Sequence, residues 1–533
     1  MTLSERIKHA VSKKQESVLS ASLILSITFA LSAVLGFLRS RFLYSMFFAE
    51  FPQQLDAYNA AFRLPDLIFK LLVSGALSAS FIPVFSHYLH HDKKIAFRIS
   101  STVINALIVL FIVLALIIFI FAYPFSKLIT PGFTESQLIL MASLTRILII
   151  AQIFFLISNF LTGMIQVYQM FLIPALSPIV YNIFIILGIL FLAPTFGIYG
   201  VTFGVVIGAF FHMLIQIPLA KKLGFRYNTT IDLKLSGVKE IIRLLIPRSL
   251  SLGLAEIEST VTLFFASTLA VGTVSLFNLA LQLMYLPSRI FGSTIGQASL
   301  PILSKNIAKN EIAEFRATVN KTILQSLFLA LPITTLILVL RLPLVRIAFG
   351  AKQFPWSATL ITAKTLAFLT PAIVSQAISQ ILSRSFYAMH NTKTPLHVAF
   401  VSLIANVGAT YYFVNYTDLG IIGLAISVSL GNLVQFLGLF YAYSKRVKDF
   451  EWKYISLKFF KIGLASLFMG FAIWFTVKFM DLFVFDTTKT LFLLTLTTIS
   501  SVIGLIVYLI SCKILKIDEY QDFLRLLKIN KTT

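Results

Sequence analysis

Arg63, Asp66 and Lys70 are spaced i, i+3 and i+7, which sets all three on one face of a helix. They stand in a stretch, roughly 60–88, that is otherwise apolar enough to cross a bilayer. Ionisable groups at that depth are costly and face a cavity or one another, so each is a functional candidate. Arg39 and Arg41 close the preceding apolar stretch, and Asp56 lies in the turn between the two. Guanidinium groups hold phosphate or carboxylate oxygens through paired hydrogen bonds, and an ammonium adds a point charge. The set therefore offers recognition of an anion, shielded from hydrocarbon. The competing account is structural: Arg39 and Arg41 snorkel to the interface and Arg63 pairs with Asp66.

Further along, Arg248, Glu256 and Glu258 share one apolar stretch, Arg289 lies in the next and Lys364 in a later one. Glu256 paired with Lys364 or Arg248 would form an ion-pair lock or a proton or cation site. The alternative is that Glu256 and Glu258 only satisfy polar neighbours. No pattern points to bond chemistry. The single cysteine, Cys512, excludes a disulfide framework and a thiolate metal site. There is no Gly-Lys-Ser/Thr phosphate loop and no paired carboxylate or Asp-x-Asp arrangement, so neither an ATP motor nor a glycosyltransferase is indicated. His87, His90 and His91 beside Asp92 end a span, where headgroups and water are the expected neighbours.

The elements that must position these residues are membrane helices. Of 533 residues, 58% are hydrophobic and 12% charged, against about a quarter charged in a soluble domain. The formal charge of +23 follows the positive-inside tendency of loops rather than indicating nucleic acid. Spans of about 20 residues recur along the chain, and splitting 171–220 at Ala193–Gly197 and 240–304 at Ala270–Thr273 brings the count to fourteen helices. Basic loops around Lys93, Lys221, Lys305 and Lys445 alternate with loops poor in base, which places both termini in the cytoplasm; Arg341 and Arg346 are exceptions. The N-terminus is too long, and too closely followed by further spans, for a cleaved signal peptide.

Motifs repeat. Gly197-Ile198-Tyr199-Gly200 with Gly208 matches Gly420-Ile421-Ile422-Gly423 with Gly431 at an offset of 223, and Phe81–Ser86 matches Ser299–Ser304 at 218. Pro174 aligns with Pro395. Six helices separate each pair, so the copies run parallel, the plan of transporters whose halves rock about a central site. The expected architecture is an all-α polytopic membrane protein: a cytoplasmic N-terminus (1–16), an N-lobe (17–220), a linker (221–239), a C-lobe (240–444), two further helices (455–512) and a tail (513–533) read as an interfacial helix.

Val34-Leu35-Gly36-Phe37-Leu38-Arg39, Asp56-Ala57-Tyr58, Ala61-Phe62-Arg63-Leu64-Pro65, Gly75-Ala76-Leu77-Ser78 and Phe81-Ile82-Pro83-Val84 together resemble the opening signature of the MurJ/MviN family. Pro131-Gly132-Phe133, Ile173–Pro178 with Asn182, Leu300-Pro301 with Ser304, and Phe386-Tyr387-Ala388 with Lys393-Thr394-Pro395 extend the match through twelve helices in family order. These are bacterial lipid II flippases of the multidrug/oligosaccharidyl-lipid/polysaccharide exporter superfamily. The resemblance implies transport, not catalysis: undecaprenyl-pyrophosphate-linked peptidoglycan precursor moves from the inner to the outer leaflet of the bacterial inner membrane. It implies a V-shaped pair of lobes, a cationic central cavity and a groove for the lipid tail by the last two helices. The partners it implies are lipid II or a similar polyprenyl-pyrophosphate glycolipid, membrane lipids and the peptidoglycan synthesis machinery; no cofactor and no nucleic acid is expected.

Arg39 and Asp56 match family residues important for transport, and Lys70 falls in the family's basic pair, whose first member is Phe69 here. Departures are Ala33, Ser74 and Gln282, each standing where the family usually carries a charge. The cavity set is thus Arg39, Asp56, Arg63, Lys70 and Gln282, with Arg41, Ser74, Arg248, Glu256, Arg289 and Lys364 in support. Arg63, Arg248 and Arg289 are available to compensate for the missing cations. A coupling-cation site, for sodium, would fall near Thr262, Asn406 and Thr410, where no carboxylate stands; membrane potential is the other candidate driving force. A flippase or exporter of another polyprenyl-linked glycan or another substrate in the superfamily is the alternative reading.

Overall fold

The computed structural model describes residues 18–74, 81–288, 295–350, 354–447, 452–485 and 489–521, with the side chains of 18–24, 26, 74, 244, 246–252, 254, 255, 297, 298 and 452 outside that description. Every regular element among the described residues is helical. Contacts divide the chain into two units, Met1–Val274 and Ser275–Thr533.

Unit 1 contains α1 (Val18–Phe47), α2 (Pro52–Ala61), α3 (Arg63–Phe69), α4 (Ile82–His91), α5 (Lys93–Ile120), α6 (Ala122–Ile129), α7 (Glu135–Val167), α8 (Leu172–Leu187), α9 (Ala193–Phe196), α10 (Ile198–Leu214), α11 (Ile217–Lys222) and α12 (Ser236–Ser267). Local chemistry sets the ends. Asp92 caps α5 by accepting from the Lys94 and Ile95 N–H groups, and Thr134 with Gln137 forms a capping box at α7. The second membrane segment is not one helix. It breaks at Phe62 and runs from α3 into a π-helical turn, Lys70–Ser74, a departure from regular helix that is frequent at functional sites.

Unit 2 begins within α13 (Thr273–Ser288) and continues through α14 (Ile295–Ala308), α15 (Ile312–Val339), α16 (Arg341–Phe349), α17 (Trp356–Ala388), α18 (Lys393–Tyr416), α19 (Ile421–Arg446), α20 (Trp452–Phe483) and α21 (Thr490–Ile514). Its core gathers Phe315, Ile323, Leu382, Phe386, Tyr443 and Tyr508. Long helices in both units expose apolar faces, such as Val109, Ile112, Leu116 and Ile120 on α5 and Phe468, Phe471 and Phe475 on α20. In water such faces would aggregate; hydrocarbon is their solvent.

The repeat is visible in the backbone of each unit. Helices α5 and α15 are both 28 residues long and start 219 positions apart. Helices α7 and α17 are both 33 residues and start 221 apart. Each of these longer helices ends in the same turn: Gln169 and His390 take positive φ, of 60° and 54°. The following amides, Met170 and Asn391, donate back to the carbonyls of Ile165 and Phe386, a Schellman closure. The next turns match as well, because Gly197 (φ 57°, ψ −139°) and Gly420 (φ 50°, ψ −124°) precede α10 and α19.

Eleven helices among the described residues are long and apolar enough to cross a membrane. The reading of fourteen adds the segments around 60–88, 240–270 and 273–304, which are the broken or charge-bearing ones: α3 with its π turn, α12 with Arg243, Glu256 and Glu258, and α13 with α14. Motif offsets begin the second lobe at 240, whereas contacts keep α12 in unit 1. One reason lies in the linker, which is strapped to α5: Asn105 Nδ2 donates to the Asn228 carbonyl (2.8 Å) and Arg98 pairs with Asp232 (3.0 Å). The tail residues Phe523–Lys528 lie outside the described residues.

Candidate functional site

The charges of the second membrane segment meet α12. Arg63 Nη2 lies 2.8 Å from Glu256 Oε2, and Lys70 Nζ lies 3.0 Å from Glu256 Oε1. The Arg63 contact is electrostatic and off the hydrogen-bond direction, since the same Nη2 donates to the Glu256 main-chain carbonyl. Arg63 Nε donates to Thr260 Oγ1 (2.8 Å), whose hydroxyl donates in turn to the Glu256 carbonyl (2.7 Å). Arg63 and Glu256 side chains are about nine-tenths buried, at 11% and 10% exposed, while Lys70 is 44% exposed. Among the described side chains of unit 1, Glu256 thus carries two cations, Arg63 and Lys70; the sequence had suggested Lys364 or Arg248. Lys364 is exposed on α17 in unit 2, and the Arg248 side chain is outside the described residues.

Asp66, the middle member of the triplet, turns to α7, where Gln152 Nε2 donates to its Oδ1 (2.9 Å). The i, i+3, i+7 spacing therefore brings Arg63 and Lys70 to one partner on α12 while Asp66 takes another on α7. Beside them is a cavity of about 380 Å³ within unit 1, lined by Asp66, Lys70, Gln152, Asn159, Tyr181 and His212 together with Phe62, Phe69 and Phe155. Its polar wall continues into a buried ladder. Ser158 Oγ lies 2.6 Å from His212 Nδ1, Gln216 Nε2 donates to Ser158 Oγ (2.6 Å), and Thr162 Oγ1 donates to Gln216 Oε1 (2.8 Å).

The other predicted residues are more dispersed. Half-buried Arg39 donates to Asn182 Oδ1 on α8 (3.1 Å), and Asn182 returns to Ser32 Oγ on α1 (3.2 Å). Arg41 is half-buried on the same helix. Asp56 is 1% exposed, and its Oδ2 accepts the Gly272 N–H at 2.6 Å, pinning the turn after α12. Gly272 has φ 89°, a backbone conformation that favours glycine, and a Cβ there would press on the Phe48 ring at 3.0 Å. Gln282 is half-buried on α13, the Ser74 side chain is outside the described residues, and so is all of Arg289.

For the cation set, Thr262 donates to the Glu258 carbonyl (3.0 Å) of its own helix in unit 1. In unit 2, Asn406 is fully buried, donates to the Ser427 carbonyl (3.1 Å) and has its Oδ1 without a hydrogen-bond partner among the described residues; Thr410, one turn on, is 1% exposed. Gln152, Asn159, Thr260 and His212 were not singled out from the sequence. Their signal was there, as single polar residues in otherwise apolar helices, and Thr260 stands one turn beyond Glu256.

Comparison with known proteins defines first a class, then a family. The fold is that of a solved protein described as the inward-facing conformation of a multidrug resistance MATE family transporter of the MOP superfamily (TM-score 0.64, 16% identity, 80% of this chain and 98% of that one). It is closer to a structure described as lipid II flippase MurJ in an inward closed conformation (TM-score 0.76, 26% identity, 94% and 100% covered). The lipid II flippase MurJ of Burkholderia cenocepacia is 28% identical over 469 residues, 84% of this chain and 88% of its own. The profile of the family described as "Lipid II flippase MurJ" matches residues 43–507, and the chain belongs to that family. The relatives are named as flippases, transporters rather than enzymes. With its apolar helices, the chain is a multi-pass protein of the bacterial inner membrane.

Proposed function

We propose that the chain flips lipid II, carrying the polyprenyl-diphosphate-linked precursor from the inner to the outer leaflet. The observation that carries this is the family match over 43–507. The paired helices of the two units and their matched turns support alternating access, since repeats of this kind let one half rock against the other. In this mechanism no bond is made: guanidinium and ammonium groups replace water around the diphosphate, and binding energy must be released as the site turns outward. Arg39 and Lys70 are the cations we assign to the headgroup, Lys70 because it lines the cavity and is 44% exposed. Sodium coupling finds one supporting feature, the Asn406 Oδ1 buried without a partner. Asn406 and Thr410 offer two neutral oxygens and no carboxylate, so membrane potential is the driving force we favour.

Complementation of a conditional flippase depletion tests the reading. The chain restores growth, and replacing Arg39, Arg63 and Lys70 together with Ala abolishes rescue at unchanged protein level. Lysis despite full expression of the native chain would overturn it.

A further inference from the structure

Among the described side chains, the cluster between α3 and α12 is charge-balanced, which a bare anion site would not be. Arg63 and Lys70 contribute two cations, and Glu256 and Asp66 contribute two carboxylates. Arg63 is saturated by the carboxylate and carbonyl of Glu256 and by Thr260, and is 11% exposed. Lys70 differs: among the described side chains its close ion-pair contact is Glu256 Oε1, with Asp66 a more distant charge, and nearly half of its side chain is open beside the cavity. Glu256 therefore stands where an external anion would stand with respect to Lys70, and any anionic headgroup binding there competes with a carboxylate of the chain itself.

Such an arrangement sets a charge threshold. The inner leaflet offers a large excess of monoanionic phospholipid phosphodiesters, which would saturate an uncompensated cationic groove. A diphosphate diester carries twice that charge on adjacent phosphates and gains more from a partly neutralised cation pair. Discrimination is a difference of affinities, and an internal repulsive group raises it by penalising the weaker competitor more. Resting on the flippase reading, we infer that Glu256 is a specificity-determining residue: an internal counter-anion that occupies Lys70 and yields it to a lipid diphosphate but not to a monoanionic phospholipid.

The test uses the purified full-length chain in nanodiscs and a short-chain isoprenyl-diphosphate-linked sugar as probe, titrated with and without phosphatidylglycerol. Native chain should bind the probe with little inhibition by phosphatidylglycerol. Glu256→Gln should bind it about tenfold more tightly in zwitterionic discs, yet lose most of that gain as phosphatidylglycerol is added. Adding Lys70→Ala to Glu256→Gln should remove the gain, and Glu256→Asp, which retracts the carboxylate by one methylene, should give part of the effect if the Gln variant folds poorly. An unchanged or weakened affinity in both Glu256 variants, or equal inhibition by phosphatidylglycerol in native and variant chains, would overturn the inference. Growth rescue by the native chain separates the two readings: with rescue and no change in discrimination, the inference fails and the flippase reading stands.

Discussion

Arg63 shows how one residue can be read in two ways and resolved by its partners. From the sequence it is a cavity cation; in the fold it is the more enclosed of the two cations in an ion-paired cluster, bridging α3 to the Glu256 carboxylate, its carbonyl and Thr260. Removing it leaves Glu256 buried with Lys70 as its one cation among the described side chains, and losing one partner of a buried pair costs about 3 kcal/mol. Arg63→Ala should therefore lower the melting temperature of the detergent-solubilised chain far more than Lys70→Ala, whose side chain is 44% exposed. Asp56 behaves similarly. Its carboxylate is the acceptor for the Gly272 N–H, and Asp56→Ala, which strands that donor, should destabilise by about 1–3 kcal/mol, read by the same melting measurement; Asp56→Asn, which keeps an acceptor, should lose less.

At the scale of elements, the parts legible in the sequence were those written in residues with few backbone options. Gly197 and Gly420 marked a repeated turn, and both adopt φ and ψ that side-chain-bearing residues avoid. Open space surrounds the Cβ position at each, so Gly197→Ala and Gly420→Ala should each cost about 1–3 kcal/mol through backbone strain alone, and the two losses should be similar. A melting experiment on each single variant checks this; a large loss at one and none at the other would contradict the equivalence of the turns. What went unread was the course of the second membrane segment. Apolar periodicity predicts one helix over 60–88, yet Pro65 has no N–H to give the Ala61 carbonyl, which accepts from Thr145 Oγ1 instead (3.2 Å), so the break at Phe62 was written in the sequence and overlooked; no residue type announces the π turn at Lys70. The Arg63–Glu256 pair was hidden, since its members lie 193 residues apart and several nearer carboxylates and cations would have satisfied the same electrostatics.

At the scale of the molecule, the sequence placed the chain among polytopic transporters, and the fold and family agree. Many of the Lys and Arg read from the sequence as loop charges lie in helices, as Lys93 and Lys94 open α5 and Lys445 and Arg446 close α19; Arg39, Arg63 and Lys70 form a smaller group within apolar helices. Within that inner group the partners differ from those weighed in the sequence: Glu256 holds Arg63 and Lys70, Asp66 accepts from Gln152, and Asn182 holds Arg39. The difference arises because a carboxylate's partner depends on tertiary packing, while its presence in an apolar helix does not. Transport of lipid II across the bilayer is read by the leaflet in which lipid II becomes accessible. In cells depleted of their own flippase and supplied with this chain, lipid II should become accessible to an external probe at near-normal levels. With Arg39, Arg63 and Lys70 all changed to Ala and the protein still present in the membrane, it should remain inside. Lipid II that stays inside with the native chain, or that appears outside with the triple variant, would contradict the account.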